Sequence, residues 1–289
     1  MSEPVRLSVA LVTRNRPDSL ERCLKSLRAQ NVQPEEVVIS DDSDDAFAPQ
    51  VEALAGRYGC RCIKGPRRGL YANRNHAAAA CGGTHVRTMD DDHEFPAGHF
   101  EIVMKRIRSS PESIWIIGEF GGGLPPRFPV PCPGEIHPRG FSKTPENPDD
   151  CYGMSDGAAV FPKEVLARHP MLEQFPMGVS YLEFGARLKA LGRRLRQIPE
   201  TYVIHHCVFG PAEPVRARNT DKSAFIAALL TYTTYLPDWK RAVECVFSFA
   251  ARGIATAVFR RNNTLTIPDF FTCLGLARSL RRDFLANRV

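Results

Sequence analysis

The sequence predicts an α/β fold, in which a mainly parallel, Rossmann-like sheet is flanked by helices and followed by a C-terminal helical appendage. Strand and helix patterns alternate over the first 120 residues, as expected of crossovers between parallel strands. The chain has 289 residues, 43% of them apolar, which is enough for a sizeable core. The last seventy or so residues carry apolar stripes at helical spacing.

Five apolar runs in the first 120 residues are predicted to be strands. The first is followed by Leu20, Cys23, Leu24 and Leu27, a spacing typical of a helix that buries one face. Comparable helical patterns follow the later runs, and a helix of small residues begins after Gly69. The runs cover residues 7–12, 36–40, 60–63, 86–89 and 113–120.

The chain changes character between residues 121 and 150. Eight prolines and five glycines in this segment exclude a regular helix or a central strand. We expect a long loop here, which would act as a lid or a flap over a ligand site. Strands are predicted at 156–161 and up to 203–206, with a helix over 181–191 between them.

Charge and cysteine content indicate which cellular compartment and which partners to expect. The net charge is +6, and the segment from residue 252 to the end contains seven arginines but only two aspartates. Such a tail suits anionic lipid, nucleic acid or an acidic partner, or merely solubilises a helix. Nine cysteines without a Cys-x-x-Cys pair argue against zinc and fit a reduced, cytoplasmic protein. The start of the chain lacks a signal-peptide pattern.

The longest apolar segment, residues 242–259, is interrupted by Glu244 and Arg252. It is therefore expected to fall short of a membrane span. The tail is expected to be a cap on the sheet domain or a homodimer contact, with peripheral membrane contact as the alternative. Localisation is accordingly expected to be cytoplasmic or membrane-peripheral.

Two acidic clusters follow predicted strands. Asp41 and Asp42 come after the second strand, and Asp90, Asp91 and Asp92 after the fourth. The carboxyl ends of parallel strands share one sheet edge, where α/β proteins bind ligands. Three adjacent carboxylates need a cation or positive side chains nearby, and a divalent metal holding a diphosphate would satisfy them. A solvated acidic loop is the alternative.

Six motifs occur in a fixed order along the chain. They are Thr13-Arg14-Asn15-Arg16, Asp41-Asp42-Ser43, Gly69-Leu70 with Asn73-Arg74-Asn75, Met89-Asp90-Asp91-Asp92, Glu183-Phe184-Gly185 with Arg187-Leu188 and Gly192, and His205. With these motifs, the chain resembles the family-2 glycosyltransferases of the GT-A fold over residues 5–206. The resemblance implies a nucleotide-sugar-binding half at 1–120, an acceptor half at 121–214 and a helical region at 215–289.

The resemblance implies a divalent metal site, for Mg²⁺ or Mn²⁺, beside the donor diphosphate. Asp92 and His205 would be the metal ligands. Asp90 would contact the ribose or the surroundings of the metal, and Asp91 belongs to the same donor site. Arg74 would lie near the phosphates.

The resemblance also implies a nucleoside pocket. Asp41 and Asp42 would hold the base and the ribose, because carboxylates accept hydrogen bonds from base N–H groups and hydroxyls. Thr13 and Arg14 would line the same pocket.

The catalytic base departs from the family pattern. An inverting transferase needs a carboxylate that takes the acceptor proton. The family places an aspartate six residues before the arginine matching Arg187, and this chain has Tyr181 there. Glu183 is the first candidate and Asp156 the second, and an inactive protein is the third alternative. Glu183 and Arg187 also have the spacing of a purely structural ion pair on a helix.

The predicted function is therefore metal-dependent, inverting transfer of a sugar from a nucleotide-diphosphate sugar to an acceptor hydroxyl or amine. The acceptor is unknown and could be a saccharide, a lipid-linked glycan or a small natural product; nucleic acid is not expected. A nucleotide-sugar-binding module that has lost its base is one alternative, and a sugar nucleotidyltransferase is another. A dinucleotide oxidoreductase is disfavoured because G-x-G-x-x-G does not follow a strand.

Overall fold

The fold is built on one mixed sheet of eight strands in the order β3-β2-β1-β4-β9-β6-β10-β5, with a separate β7–β8 hairpin. The structure is a computed structural model that describes residues 4–121, 134–147, 150–155, 157–175, 178, 180–206, 214–259 and 264–287. The strands are β1 (Leu7–Thr13), β2 (Glu36–Asp41), β3 (Arg61–Lys64), β4 (His85–Asp90), β5 (His93–Glu94), β6 (Ile114–Gly121), β7 (Glu135–Ile136), β8 (Ser142–Lys143), β9 (Ala159–Pro162) and β10 (Leu195–His205).

Helices cover both faces of this sheet and form the C-terminal region. A π-helical turn, Thr231–Tyr235, follows the seventh helix directly. The helices are α1 (Pro17–Arg28), α2 (Ala48–Arg57), α3 (Leu70–Ala80), α4 (His99–Ser109), α5 (Lys163–Arg168), α6 (Ser180–Ala190), α7 (Pro214–Leu230), α8 (Trp239–Phe259) and α9 (Ile267–Ala286).

Strand β1 lies at the centre of the parallel half and is buried along its whole length. Its residues alternate between two apolar cores, with Ala10 and Val12 in one and Val9 and Leu11 in the other. A strand covered on both faces reads as a continuous apolar run, which is why residues 7–12 are so uniformly hydrophobic. The predicted α/β sheet flanked by helices is confirmed.

Two strands run against the parallel direction. β9 pairs antiparallel with both β4 and β6, and β5 pairs antiparallel with β10. β1 pairs parallel with β2 on one side and β4 on the other, so the strand order reverses around β1. The crevice outside the carboxyl ends at such a reversal is where open α/β sheets bind ligands.

The C-terminal helices share a core with the sheet. Phe225 of α7 belongs to the same buried cluster as Phe161 of β9 and Phe184 of α6. Its ring stacks on Phe249 of α8 at 4.7 Å and on Phe270 of α9 at 4.9 Å between centroids. The predicted helical appendage is therefore packed onto the sheet domain through one continuous apolar contact.

The expectation that the apolar segment at 242–259 falls short of a membrane span is wrong for helix α8. Among the helices of the described residues, it is long and apolar enough, by length and composition, to cross a membrane. The two charges that seemed to interrupt it have partners: Glu244 is paired with Arg139 at 2.8 Å, and Arg252 with Asp221. Because Glu244 and Arg252 are each paired with an oppositely charged neighbour, they do not interrupt the apolar side of α8.

The proline-rich segment is only partly described. The β7–β8 hairpin lies within it, and the phenol of Tyr232 donates a hydrogen bond to the carbonyl of Ile136. Gly140 has a φ of +83°, and a Cβ there would lie 2.6 Å from the ring of Phe249. The hairpin is thus packed against the C-terminal helices. The lid expected over 121–150 falls largely on residues 122–133, outside the described part of the chain.

Candidate functional site

The site lies at the carboxyl ends of three neighbouring strands. Thr13, the last residue of β1, is in register with Asp41 of β2, and Val12 is in register with Asp90 of β4. This pairing brings the two acidic clusters to one edge of the sheet, as expected from the predicted parallel sheet. A cleft of about 510 Å³ opens above this edge. Its described lining is Val12, Thr13, Arg14, Arg16, Asp42, Arg68, Gly69, Leu70, Tyr71, Asn73, Asp90, Asp92, Glu173, Phe175, His205, His206 and Arg216.

A turn after β3 holds Asp42. The backbone N–H of Arg67 donates to Oδ1 of Asp42 at 2.8 Å. A Cβ at Gly65 would lie 2.2 Å from the same oxygen, so only glycine allows the turn to come this close. Asp41 is turned inward instead, and its Oδ1 accepts from the backbone N–H of Ser43 at 2.8 Å. Of this pair, Asp42 lines the cleft.

The first aspartate of the triplet is held by an arginine in the core. Arg74 donates from Nε to Oδ1 of Asp90 at 3.2 Å and from Nη2 to Oδ2 at 2.6 Å. Such a two-point contact fixes the carboxylate plane. Arg74 is 1% exposed and does not belong to the described lining of the cleft. It contributes through Asp90, which does line the cleft.

The middle aspartate points into the protein. Asp91 is fully buried, and its Oδ2 accepts a hydrogen bond from Thr13 at 2.6 Å. Arg16 covers it, with Nη2 2.5 Å from Oδ1 of Asp91 and Nη1 2.9 Å from Oδ2 of Asp92. Burial raises the pKa of Asp91 to about 7, although Arg16 and Thr13 act in the opposite direction.

The third aspartate faces two histidines. Nε2 of His205 lies 3.4 Å from Oδ1 of Asp92, and Nδ1 of His205 lies 3.3 Å from Oε2 of Glu119. Burial alone would raise the pKa of Asp92, but His205, His93 and Arg16 outweigh it and hold the pKa below its ordinary value. Burial would lower the pKa of His205, but Asp92 and Glu119 raise it to about 11.

His93 completes this group, and the sequence alone does not single it out. β5 pairs with β10 so that His93 is directly opposite His205. One ligand atom each from Asp92, His93 and His205 can lie within 4.8 Å of the others. Among the described residues, neither buried ring nitrogen of His93 has a hydrogen-bond partner, and burial lowers its pKa to about 3. His93 is therefore a neutral imidazole with a free nitrogen, the form that binds metals. A divalent cation bound here would displace the proton that Asp92 and Glu119 favour on His205, so the three residues fit such an ion.

Glu183 and Asp156, the two acids predicted for the acceptor side, are not found at the cleft among the described residues. Glu183 is fully buried, and its Oε1 accepts from Nε of Arg187 at 2.9 Å. Burial raises the pKa of the neighbouring Tyr235, and the charge of Glu183 raises it further. Glu183 does not belong to the described lining of the cleft. Asp156 lies outside the described residues.

A different acid, Glu173, lines the cleft on the side of the loop between α5 and α6. Its Oε2 is 3.3 Å from Nη2 of Arg68. The sequence gives no motif-based signal for it, because it lies between elements and belongs to none of the six motifs. Its position becomes apparent only when the loop is seen folded over the sheet edge.

Two motif residues anchor this loop. The side chain of Asn75 accepts from the backbone N–H of Met171 at 3.0 Å and donates to the Met171 carbonyl at 2.9 Å. Arg187 donates from Nη2 to the carbonyl of Pro170 at 2.8 Å. Because Glu183 holds Arg187, the Glu183–Arg187 pair positions the start of the loop.

The predicted site residues that the structure describes therefore form two groups, those that line the cleft and those that do not. Those at the cleft are Thr13, Arg14, Asp42, Asp90, Asp92 and His205. Those outside its described lining are Asp41, Arg74, Asp91 and Glu183.

Comparison with known proteins gives the family context. Residues 8–169 match the model of glycosyl transferase family 2. A curated protein of Bacillus subtilis (strain 168), described as the uncharacterized glycosyltransferase YwdF, is 30% identical over 107 residues. That match covers 37% of this chain and 40% of the relative, so it spans well under half of the relative's length.

Several solved structures share the fold. S. aureus TarS 1-349 in complex with UDP-GlcNAc has a TM-score of 0.62 at 16% identity, over 98% of this chain and 82% of that one. GalNAc-T7 with UDP, GalNAc and Mn2+ has a TM-score of 0.66 at 14% identity, over 94% of this chain and 57% of that one. Identities this low show a common architecture and leave the substrates open.

Proposed function

The chain belongs to glycosyl transferase family 2, and we propose that it transfers a sugar, with inversion, from a nucleoside diphosphate sugar to an acceptor hydroxyl or amine. One observation supports this most strongly. Asp92, His93 and His205, whose ligand atoms are close enough together to hold a metal ion, lie at the same sheet edge as the carboxylate of Asp42. A cation site beside a hydrogen-bonding pocket suits a diphosphate joined to a nucleoside.

The donor is proposed to lie across the carboxyl ends of β1, β2 and β4. Asp42 accepts hydrogen bonds from the base or ribose, and Thr13 and Arg14 line the same end of the cleft. Mg²⁺ or Mn²⁺ held by Asp92 and the two histidines would supply Lewis acidity to the leaving diphosphate. Arg68 and Arg216 also line the cleft, and guanidinium groups match phosphate geometry.

The donor assignment is tested by nucleotide binding. We expect one or more nucleoside diphosphates to bind with Mn²⁺ and to raise the melting temperature, because a ligand that binds only the folded state stabilises it. Asp92→Asn is expected to abolish the dependence of this binding on Mn²⁺ in calorimetry. Asp283→Asn, at an exposed position on α9, is the matched control. Unchanged Mn²⁺-dependent binding in Asp92→Asn would contradict the metal assignment.

For the acceptor side we propose Glu173 as the general base in place of Glu183. The described carboxylates that line the cleft are Asp42, Asp90, Asp92 and Glu173. The first belongs to the proposed nucleoside pocket, and the next two belong to the strand end beside the proposed metal site. Glu173 belongs to neither group: it is exposed on the loop between α5 and α6, with Arg68 3.3 Å away, so we assign the acceptor proton to it, and Asn75 and Arg187 hold its loop in place.

Conservative substitutions distinguish whether Glu173 or Glu183 is the general base. Glu173→Gln is expected to lower kcat by about 10²- to 10⁴-fold, the usual range for loss of a general base, with unchanged affinity for nucleoside diphosphate. Glu183→Gln is expected to lower stability by about 3–5 kcal/mol, because it leaves Arg187 buried beside a neutral partner, and to lower turnover per folded molecule far less than Glu173→Gln does. Normal turnover in Glu173→Gln would exclude it as the base, and loss in Asp156→Asn would then favour Asp156.

The non-catalytic alternative has one observation in its favour, Tyr181 at the position where the family has its base. A binding module would bind nucleoside diphosphate tightly and release no nucleotide from any nucleotide sugar, with or without acceptor. Membership of glycosyl transferase family 2 does not favour the sugar nucleotidyltransferase alternative.

A further inference from the structure

Helix α8 exposes a continuous apolar stripe, which we call the α8 outer face. It consists of Trp239, Val243, Phe247, Ile254 and Val258, spaced so that they share one side of the helix. These side chains are 46% to 72% exposed. Monomeric proteins seldom expose apolar surface of this extent along a whole helix, and such surfaces mark interaction sites.

The opposite side of α8 is packed in the protein. Cys245, Phe249, Gly253 and Thr256 are its buried residues. The ring of Phe249 is stacked on Phe225 of α7. A helix tied to the core along one side cannot cross a bilayer without unfolding that core. The length of α8 therefore suits a helix that lies in the plane of a surface, with the α8 outer face towards it.

Basic side chains accompany the stripe. Lys240 on α8 and Arg278, Arg281 and Arg282 on α9 are exposed. Tyr235 and Phe284 are in ring contact at 4.8 Å, which brings the end of α9 to the start of α8. The last turns of α9, which carry these arginines, therefore lie near the Trp239 end of α8.

The acids of these two helices do little to offset this positive charge. Glu244 is paired with Arg139 at 2.8 Å, and Asp269 with Arg218 at 2.6 Å. Asp283 is the remaining acid on α8 and α9 over the described residues. The surface that adjoins the α8 outer face is therefore basic on balance.

This charge distinguishes between two occupants of the stripe. A twofold dimer would bring the α8 outer face against its own copy, because a symmetric contact uses the same patch twice. Both copies of this surface would carry the same net positive charge, so the contact would offer the basic residues no complementary charge. An anionic bilayer has the complementary charge and an apolar interior for the stripe.

We propose that the α8 outer face binds the surface of an anionic lipid bilayer. Val243, Phe247, Ile254 and Val258 enter the boundary between headgroups and acyl chains, and Trp239 lies at the interface, where its ring is favoured. The arginines of α9 contact the lipid phosphates. This attachment does not depend on the reaction catalysed in the cleft.

Vesicle co-sedimentation of the full chain tests the proposal. Wild type is expected to sediment with phosphatidylcholine vesicles that contain phosphatidylglycerol, less so as salt rises, and far less with phosphatidylcholine alone. Phe247→Glu is expected to weaken binding at least about tenfold, because it places a charge in the apolar stripe. Phe141→Glu is the matched control, since Phe141 is 52% exposed on the hairpin, which packs on the buried side of α8 at Phe249 and not on the α8 outer face.

Charge reversal tests the basic residues. Arg281→Glu with Arg282→Glu is expected to weaken binding at least about tenfold. Lys105→Glu with Arg108→Glu, an equal charge change at exposed positions on α4, is expected to leave it unchanged. Failure of wild type to bind anionic vesicles would overturn the proposal. So would a dimer in sedimentation velocity that Phe247→Glu converts to monomer, because the stripe would then be a self-contact.

Discussion

Three adjacent aspartates have three different partners in this protein. Arg74 holds Asp90, Thr13 and Arg16 hold Asp91, and His205 faces Asp92. Mutual repulsion within the triplet is thereby relieved by groups of the chain itself. The strand end can therefore remain folded before any cation binds. The middle residue, Asp91, has a supporting role, because its contacts with Thr13 and Arg16 tie the triplet to β1 and the residues that follow it.

Loss of the Thr13 hydroxyl should expose this supporting role. Thr13→Val leaves buried Asp91 without its 2.6 Å hydrogen bond, which we expect to cost about 1–3 kcal/mol of unfolding free energy. Urea denaturation provides the measurement. Thr272→Val, which removes an exposed hydroxyl from α9, is expected to change stability little. Equal effects of the two substitutions would argue against a supporting hydrogen bond.

The residues that end the strands at the cleft could be located from the sequence, whereas two of their neighbours could not. Asp42, Asp92 and His205 could be predicted because each follows a strand within a recognisable motif. His93 could not, because its importance depends on the pairing of β5 with β10, two segments more than 100 residues apart. Glu173 could not either, because a loop has no periodicity that reports its direction.

At the scale of single elements, α9 begins with a reciprocal cap. Thr266 accepts from the backbone N–H of Asp269, and Asp269 accepts in return from the backbone N–H of Thr266 at 3.0 Å. Arg218 of α7 donates to the same carboxylate at 2.6 Å. One side chain therefore fixes both the start of α9 and its position against α7.

This cap should make stability depend on pH. Burial alone would raise the pKa of Asp269, but Arg218 and Thr266 outweigh it and hold the pKa below its ordinary value of 3.8. A carboxyl group with a lowered pKa in the folded state stabilises that state above its unfolded pKa, and the contribution is lost as pH falls further. We expect Asp269→Asn to cost about 1 kcal/mol at pH 7 and less as pH falls below about 4.

The control for this prediction is Asp18→Asn, which alters an exposed carboxylate in the first turn of α1. Urea melts at pH 7 and pH 3 give the comparison. A loss in Asp269→Asn that is as large at pH 3 as at pH 7 would show that the carboxylate charge is not what stabilises the cap.

The elements themselves were predicted well where periodicity is strong, as in β1, α1 and α4. The antiparallel direction of β9 was not predictable, because a run of apolar residues does not show which way its strand lies in the sheet. The solvent exposure of the apolar side chains on α8 was also not predictable, since an apolar stripe has the same sequence pattern whether it faces the core or the solvent.

At the scale of the whole molecule, the helical region and the sheet should unfold together. Phe225 lies in one buried cluster with sheet residues and stacks on both α8 and α9. Phe225→Ala is expected to cost about 3–5 kcal/mol. In a Trp239→Phe background, the fluorescence of buried Trp115 reports on the sheet, while circular dichroism reports mainly on the helices. Both midpoints should shift equally.

The control is Phe271→Ala, which removes a 65% exposed ring from α9 and should move neither midpoint appreciably. If Phe225→Ala shifted the helical signal and left Trp115 unchanged, the C-terminal helices would be an independently folding unit.

The pairing of β5 with β10 has a consequence for how the protein is made. Asp92 and His93 leave the ribosome about 110 residues before His205. At about 5–20 residues per second, this delay is of the order of 5–20 seconds. The nascent chain holds only part of the proposed ligand set during that interval. A metal ion that needs all three residues would therefore be held only after His205 has been made.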